Sequence, residues 1–236
     1  MPRYKDPSFF KYKPGYERYL KFRVAALAEI LKAGGYHTIL SGKWHLGMKK
    51  EHSPHARGFE KVFAFLKGRT EKDKEKPFFA YLSYLAPHWP LQAPKENWQK
   101  YTGQYDDGPD IEIPEDVVPA QPEGWNIDTK WEDLTDQERA ESARKMEVYS
   151  GMVDAMDEGI GQVIDHLEST GELDNTFVLF MSDNGAEGVM LEALPVMGTK
   201  SSMADVINTF YDNSLDNIGS KSSFTWYGPH WVSAAT

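Results

Sequence analysis

The chain has 236 residues, enough for one large domain with a real core or for two small ones. Hydrophobic residues make up 40% and charged residues 26%, a globular mix, and the net charge of −10 argues against a general nucleic-acid binder, which needs a basic surface to meet phosphates. There are no cysteines, which excludes disulfides, thiolate metal sites and a cysteine nucleophile.

Residues 1–20 are aromatic, basic and broken by proline, and read as an irregular arm without the apolar run of a secretory signal. From Phe22 the pattern turns helical, with Val24, Leu27, Ala28 and Leu31 at three- and four-residue steps on one face. Gly34-Gly35 stops that helix, and "YHTILS" reads as a strand ending at Ser41-Gly42, the return half of an α/β unit. Residues 48–76 are charged and read as loop with short structure. "PFFAYLSYLAP" (77–87) is a second apolar strand closed by proline. Residues 90–135, rich in Pro, Asp, Glu and Trp, read as a long surface excursion. A strong helix starts near Asp136, with Met146, Tyr149, Val153, Met156, Ile160, Val163 and Leu167 on its periodic face, and Gly171 ends it. "TFVLFMSDNG" (176–185) is then a third strand, nearly all apolar as central parallel strands are. The tail from Val189 carries weak signals, and no repeat is visible. No apolar stretch is long enough to span a bilayer, and no Asn-x-Ser/Thr acceptor occurs, so as written the chain reads as cytoplasmic.

Each of the three apolar strands ends in a polar cluster: Lys43 with His45, His88, and Asp183 with Asn184. Ligands of open α/β sheets bind beyond the carboxyl ends of the strands, so three parallel neighbours would bring these clusters to one site. Asp183 and Asn184 are a hard-oxygen pair suited to Ca²⁺ or Mg²⁺, although Asp-Asn-Gly is equally good turn chemistry. Lys43 and His45 alternate on an extended backbone, so both can face an anionic ester while Trp44 packs behind. A solvated loop end for Lys43 and a satisfied core position for His45 are the plainer alternatives. His88, between Pro87 and Trp89-Pro90, is aimed by a stiff loop, which suits either a substrate pocket or a packed turn. His37, His52, His55, His166 and His230 are weaker candidates.

Taken in order, "GKWHLG", "PHARGFEKVFAFL", "APHWP", "SDNGAE" and "NSLDNIGSKSSFTWYGPHW" resemble the sulfatase family of the alkaline-phosphatase superfamily, arylsulfatases in particular, over more than half the chain. The resemblance implies an α/β sandwich with a mainly parallel sheet flanked by helices. It also implies a sulfuric ester hydrolase acting with a divalent cation. It gives Lys43, His45 and His88 contacts to the sulfate or leaving oxygen, and it makes Asp183 and Asn184 ligands of Ca²⁺ (or Mg²⁺). The expected partner is a small sulfate ester, with no nucleic acid and no membrane.

The chain also departs from that family. Sulfatases carry Cys-x-Pro-x-Arg or its Ser version, whose first residue becomes the formylglycine nucleophile. Neither pattern occurs here, and "SPHAR" (53–57) has its proline one place early. The family's early Asp-Asp pair has no counterpart but "YDDG" (105–108), which is out of order. The stretch 63–82 joins two blocks that the family separates by a longer insert. Residues 1–236 thus read as a partial sulfatase catalytic domain lacking its front strand and C-terminal domain. It is expected to be inactive alone, to bind the cation weakly, and to self-associate through the incomplete sheet. The alternatives are a non-catalytic anion- or metal-binding remnant and, less favoured, a phosphodiesterase or phosphonate hydrolase.

Overall fold

The computed structural model describes residues 19–63, 75–109, 131–186, 203–228, 231 and 235. Contacts divide the chain into two compact units, Met1–Leu85 and Ala86–Thr236.

In the first unit, helix α1 spans Leu27–Ala33 and does not begin at Phe22. Its start is fixed by Glu29, whose carboxylate accepts the Ala26 N–H at 2.6 Å and so satisfies a donor that the first turn leaves open. Gly34 caps the far end, and Gly35 takes the turn with φ 89°. Of the expected apolar face only Ala28 is buried, and Leu27 remains 59% exposed. A small residue is what lets so short a helix approach the sheet closely. Strand β1 (His37–Gly42) follows, with β2 (Lys61–Val62) on one side and β3 (Phe78–Ser83) on the other. Both pairings are parallel, and β1 runs in register with β3 from His37 opposite Phe78 to Gly42 opposite Ser83. A parallel sheet with a helix returning into it is an α/β architecture, as the periodicities require. The core is Ala28, Leu40 and Phe59, with Trp44, Val62 and Phe79 packed around it.

Arg57 is 1% exposed, and its guanidinium makes four hydrogen bonds. It donates to Glu29, to the Leu20 carbonyl at 2.7 Å and to the Val24 carbonyl at 3.1 Å, and it lies 5.0 Å from the Phe22 ring centroid. Next to it Gly58 (φ 96°) presses directly on α1, where an added Cβ would lie 2.4 Å from the Glu29 nitrogen.

The second unit is organised by helix α3 (Asp136–Ser169). A capping box starts it: Thr135 Oγ1 accepts the Glu138 N–H at 3.3 Å, and the Glu138 carboxylate accepts the Thr135 N–H at 2.8 Å. Its inward residues are Ala143, Met146, Glu147, Val148, Gly151, Met152 and Leu167, so Val153, expected on the core face, is turned out at 36% exposure. Leu91, Val148, Met152 and Ile218 form the core. The surface excursion expected over 90–135 does not describe its first part. Leu91 is fully buried, and helix α2 (Lys95–Trp98) packs on α3, with Gly151 against the Trp98 backbone. The prolines and acidic residues that suggested exposure flank one deeply packed leucine and one tryptophan. Residues 110–130, like the arm at 1–18, lie outside the described residues. Helix α4 (Met203–Phe210) precedes a loop tied back to residues 91–93: Leu91 N–H donates to Thr225 O, and Ala93 N–H to Gly219 O.

The third strand expected at 176–185 is not formed: among the described residues only β1, β2 and β3 make a sheet. Phe177, Leu179, Phe180 and Met181 are 88%, 69%, 74% and 70% exposed. Apolar composition marked the segment for burial, but a strand exists only where a neighbouring edge completes its hydrogen bonds.

Candidate functional site

Lys43 and His45 leave the carboxyl end of β1. Gly42 turns the chain there with φ 113°, so close to β3 that an added Cβ would fall 1.9 Å from the Ser83 carbonyl oxygen. The Lys43 N–H donates to that same oxygen at 2.7 Å, which pins the lysine's backbone to the β3 end. Its side chain is half-buried and His45 is exposed. Trp44 packs behind them: its ring meets Phe59 edge-on at 6.1 Å, and Nε1–H donates to the His52 carbonyl at 2.9 Å. This loop thus offers one cation and one imidazole on a backbone held by the sheet and by a half-buried tryptophan.

In the second unit, His88 is exposed and its Nδ1 lies 2.6 Å from the Trp89 carbonyl oxygen. A carbonyl can only accept, so Nδ1 carries the proton, and Nε2 is the nitrogen a ligand would meet. Neutral His88 therefore presents an acceptor, and it presents a donor only as imidazolium. The two rings lie 4.6 Å apart.

Asp183 and Asn184 follow the exposed 177–181 run. Ser182 Oγ donates to the Asn184 carbonyl, a turn contact, as the plainer reading of Asp-Asn-Gly has it. Ca²⁺ takes six to eight oxygens, and two adjacent exposed side chains supply three at most. Among the described residues there is no group of three or more His, Cys, Asp or Glu able to hold a metal. The residues present do not fit a complete cation site. In "YDDG", Tyr105 hydrogen-bonds Ser150 on α3, and its two aspartates are exposed.

The other described histidines have structural settings. His37 is buried in β1, 3.4 Å from Glu60. His52 stacks on Tyr19 at 3.9 Å. His55 Nδ1 lies 2.9 Å from the Phe59 carbonyl. His166 is on α3, and His230 lies outside the described residues. Lys43 and His45 sit together in one unit, and Asp183 and Asn184 share one turn in the other, where His88 lies on a separate loop. Sequence reasoning missed the rings beside His88. Trp89 lies against His88, Phe224 meets Trp89 from a loop distant in sequence, and Tyr211 meets Phe224, which no local pattern announces.

A family model described as "Sulfatase" matches residues 3–74 and 66–205. Its two pieces meet inside the stretch where an insert was expected to be missing. "Uncharacterized sulfatase PB10D8.02c" of Schizosaccharomyces pombe is 43% identical over 95% of this chain and 51% of its own length. "Arylsulfatase" of Klebsiella aerogenes is 32% identical over 94% of this chain and 59% of its own. The chain thus spans about half the length of these relatives. A solved structure described as "Crystal structure of Ps i-CgsB" gives a TM-score of 0.39 at 21% identity, over 63% of this chain and 37% of that one.

Proposed function

The chain belongs to the sulfatase family, and on that premise we propose that residues 1–236 bind a sulfate ester without hydrolysing it. By lineage the chemistry is that of a sulfuric ester hydrolase. The observation that carries the reading is in the sequence: there is no cysteine and no Ser-x-Pro-x-Arg, so nothing here can become the formylglycine nucleophile. Losing a covalent nucleophile costs several orders of magnitude in rate, whatever positioning groups remain.

Those groups have defined parts in the proposal. Lys43 supplies a compact positive charge to the sulfate oxygens. His45 adds a hydrogen bond from the same loop, two residues on. His88, as the imidazolium, donates from Nε2 to the leaving oxygen. Asp183 and Asn184 are this chain's share of a Ca²⁺ (or Mg²⁺) site and bind the ion weakly. The test is release of 4-nitrophenol from its sulfate ester, together with binding of inorganic sulfate by calorimetry. Sulfate binding that falls in Lys43→Ala, with no turnover, is the expected result. Turnover abolished by His45→Ala would overturn it.

The exposed run Phe177–Met181 supports a second element of the reading, self-association. Five consecutive exposed apolar residues form a surface that two copies can bury against each other. Sedimentation should show a concentration-dependent dimer that Leu179→Lys dissociates. A monomer at every concentration would refute it.

A further inference from the structure

We infer that Asn184 is a self-modification site: the chain converts its side-chain amide to a carboxylate by attack of the Gly185 backbone nitrogen, with Ser182 assisting. This stands apart from the sulfate-ester reading. Of the chain's asparagines, only Asn184 precedes a glycine. Asn184 and Gly185 are both exposed and lie outside any helix or strand. Nothing lies within 4 Å of a Cβ placed on Gly185, so the backbone there has room to bring its nitrogen onto the Asn184 side chain. Among the described residues no hydrogen bond holds the Gly185 N–H.

At the other described asparagines the following nitrogen is committed. After Asn97, the Trp98 N–H donates to the Pro94 carbonyl at 3.3 Å; after Asn175, Thr176 donates to Leu173 at 3.0 Å; after Asn217, Ile218 donates to Ser214 at 3.0 Å. Asn208 lies inside helix α4. Asn213 precedes a serine, a small neighbour, yet the Ser214 N–H donates to Asp212 Oδ1 at 3.0 Å. The Asn213 amide is also held at both ends, donating to the Phe224 carbonyl at 3.1 Å and accepting the Phe224 N–H at 2.8 Å. A nitrogen so engaged has to break its bond before it can attack.

Ser182 activates the peptide. Its Oγ–H donates to the Asn184 carbonyl, the oxygen of the same peptide group whose nitrogen attacks. As that nitrogen gives up its proton, negative charge moves onto this oxygen, where a hydroxyl donor stabilises it. The nitrogen then bonds to Asn184 Cγ, Nδ2 leaves as ammonia, and a cyclic imide remains. Water opens the imide at either carbonyl. Opening at Cγ gives aspartate, and opening at the main-chain carbonyl gives the β-linked isomer, isoaspartate. Each event exchanges ammonia for water and leaves a second carboxylate beside Asp183.

The test holds the whole chain in neutral buffer made with heavy-oxygen water. Its peptides are then mapped by mass spectrometry, with a fragmentation that separates aspartate from isoaspartate. We expect Asn184 to convert at least about tenfold faster than Asn213, with both products formed and heavy oxygen in each. Gly185→Val crowds the attacking nitrogen and should slow conversion about tenfold or more. Ser182→Ala should slow it several-fold. Both replace exposed residues, and circular dichroism checks their folding. In urea, where the Phe224 and Asp212 contacts are lost, Asn213 should gain on Asn184. An Asn184 amide that persists, converts no faster than Asn213, gives aspartate without isoaspartate, or is indifferent to Gly185→Val would overturn the inference. An unchanged rate in Ser182→Ala would overturn the part given to Ser182.

Discussion

Arg57 and Glu29 meet through two hydrogen bonds, Nε to Oε1 at 3.0 Å and Nη2 to Oε2 at 3.2 Å. The arginine is buried, and the glutamate also receives the Ala26 N–H that starts α1. One carboxylate therefore both caps the helix and neutralises the buried cation beneath it. Arg57→Ala should cost about 3–5 kcal/mol in the first unit, because it strips the partner from Glu29 and leaves the Leu20 and Val24 carbonyls unsatisfied. Urea unfolding followed by circular dichroism measures it, and a cost below about 1 kcal/mol would contradict the account.

The same pair makes the unit acid-labile. The Ala26 N–H first, and then Arg57, hold the Glu29 carboxyl below its usual 4.5. A depressed folded pKa adds stability above the unfolded value and loses it as pH falls through the folded one. Unfolding free energy should therefore decline from about pH 4.5 downward. Glu29→Gln should flatten that part of the profile, and an unchanged slope would remove Glu29 from the explanation.

Two glycines with positive φ should respond very differently to alanine. At Gly58 the new Cβ meets α1 backbone at 2.4 Å, whereas at Gly35 (φ 89°) nothing lies within 4 Å. Gly35→Ala carries only the left-handed penalty, about 1–2 kcal/mol. Gly58→Ala adds overpacking against main chain and should cost roughly 3 kcal/mol or more. Equal midpoints in denaturant would show that the close approach has no energetic weight.

Thr225 Oγ1 is the one buried side-chain polar atom without a hydrogen-bond partner among the described residues. Thr225→Val keeps the shape and removes a desolvated hydroxyl, so stability should hold or rise by up to about 1 kcal/mol. Thr225→Ala opens a cavity and should lose about 1 kcal/mol or more. Valine destabilising as much as alanine would reveal a bond the hydroxyl makes.

Ca²⁺ affinity should lie in the millimolar range, since Asp183 and Asn184 present too few oxygens for more. Calorimetry with Asp183→Ala as the control reads this directly. Micromolar binding lost in that variant would mean that further ligands join the pair.

The helix α3 and the strands β1 and β3 were legible because local periodicity and the breakers Gly34, Gly35 and Gly171 agree with the final packing. Their parallel pairing was an assumption of that reading, since the stretch between them, 48–76, carried no helical pattern. Phe177–Met181 was misread for the converse reason: apolar composition reports a tendency toward burial, while pairing needs a partner edge that composition cannot name. Leu91 was hidden among prolines and charges, and Glu147 was invisible as a core residue. That carboxylate is 3% exposed because it accepts the Gly103 N–H at 2.9 Å and pairs with Arg144 at 2.6 Å, partners it finds only once the chain has folded. At the candidate site, the motif residues were readable one by one. The fixed tautomer of His88 was not, because it depends on where the Trp89 carbonyl points.

Helix α3 is 34 residues long, yet its burial is concentrated before Val153; from there to His166 no residue is buried, and two glycines, Gly159 and Gly161, fall in that span. One continuous rod therefore joins two regimes of hydrogen exchange, amides around Val148 that open only with the whole unit and amides around Gly161 that open by local fraying. Nothing lies within 4 Å of a Cβ placed on Gly161. The cheapest way to stiffen the helix is thus a single methyl group at the place where its neighbours do least to hold it.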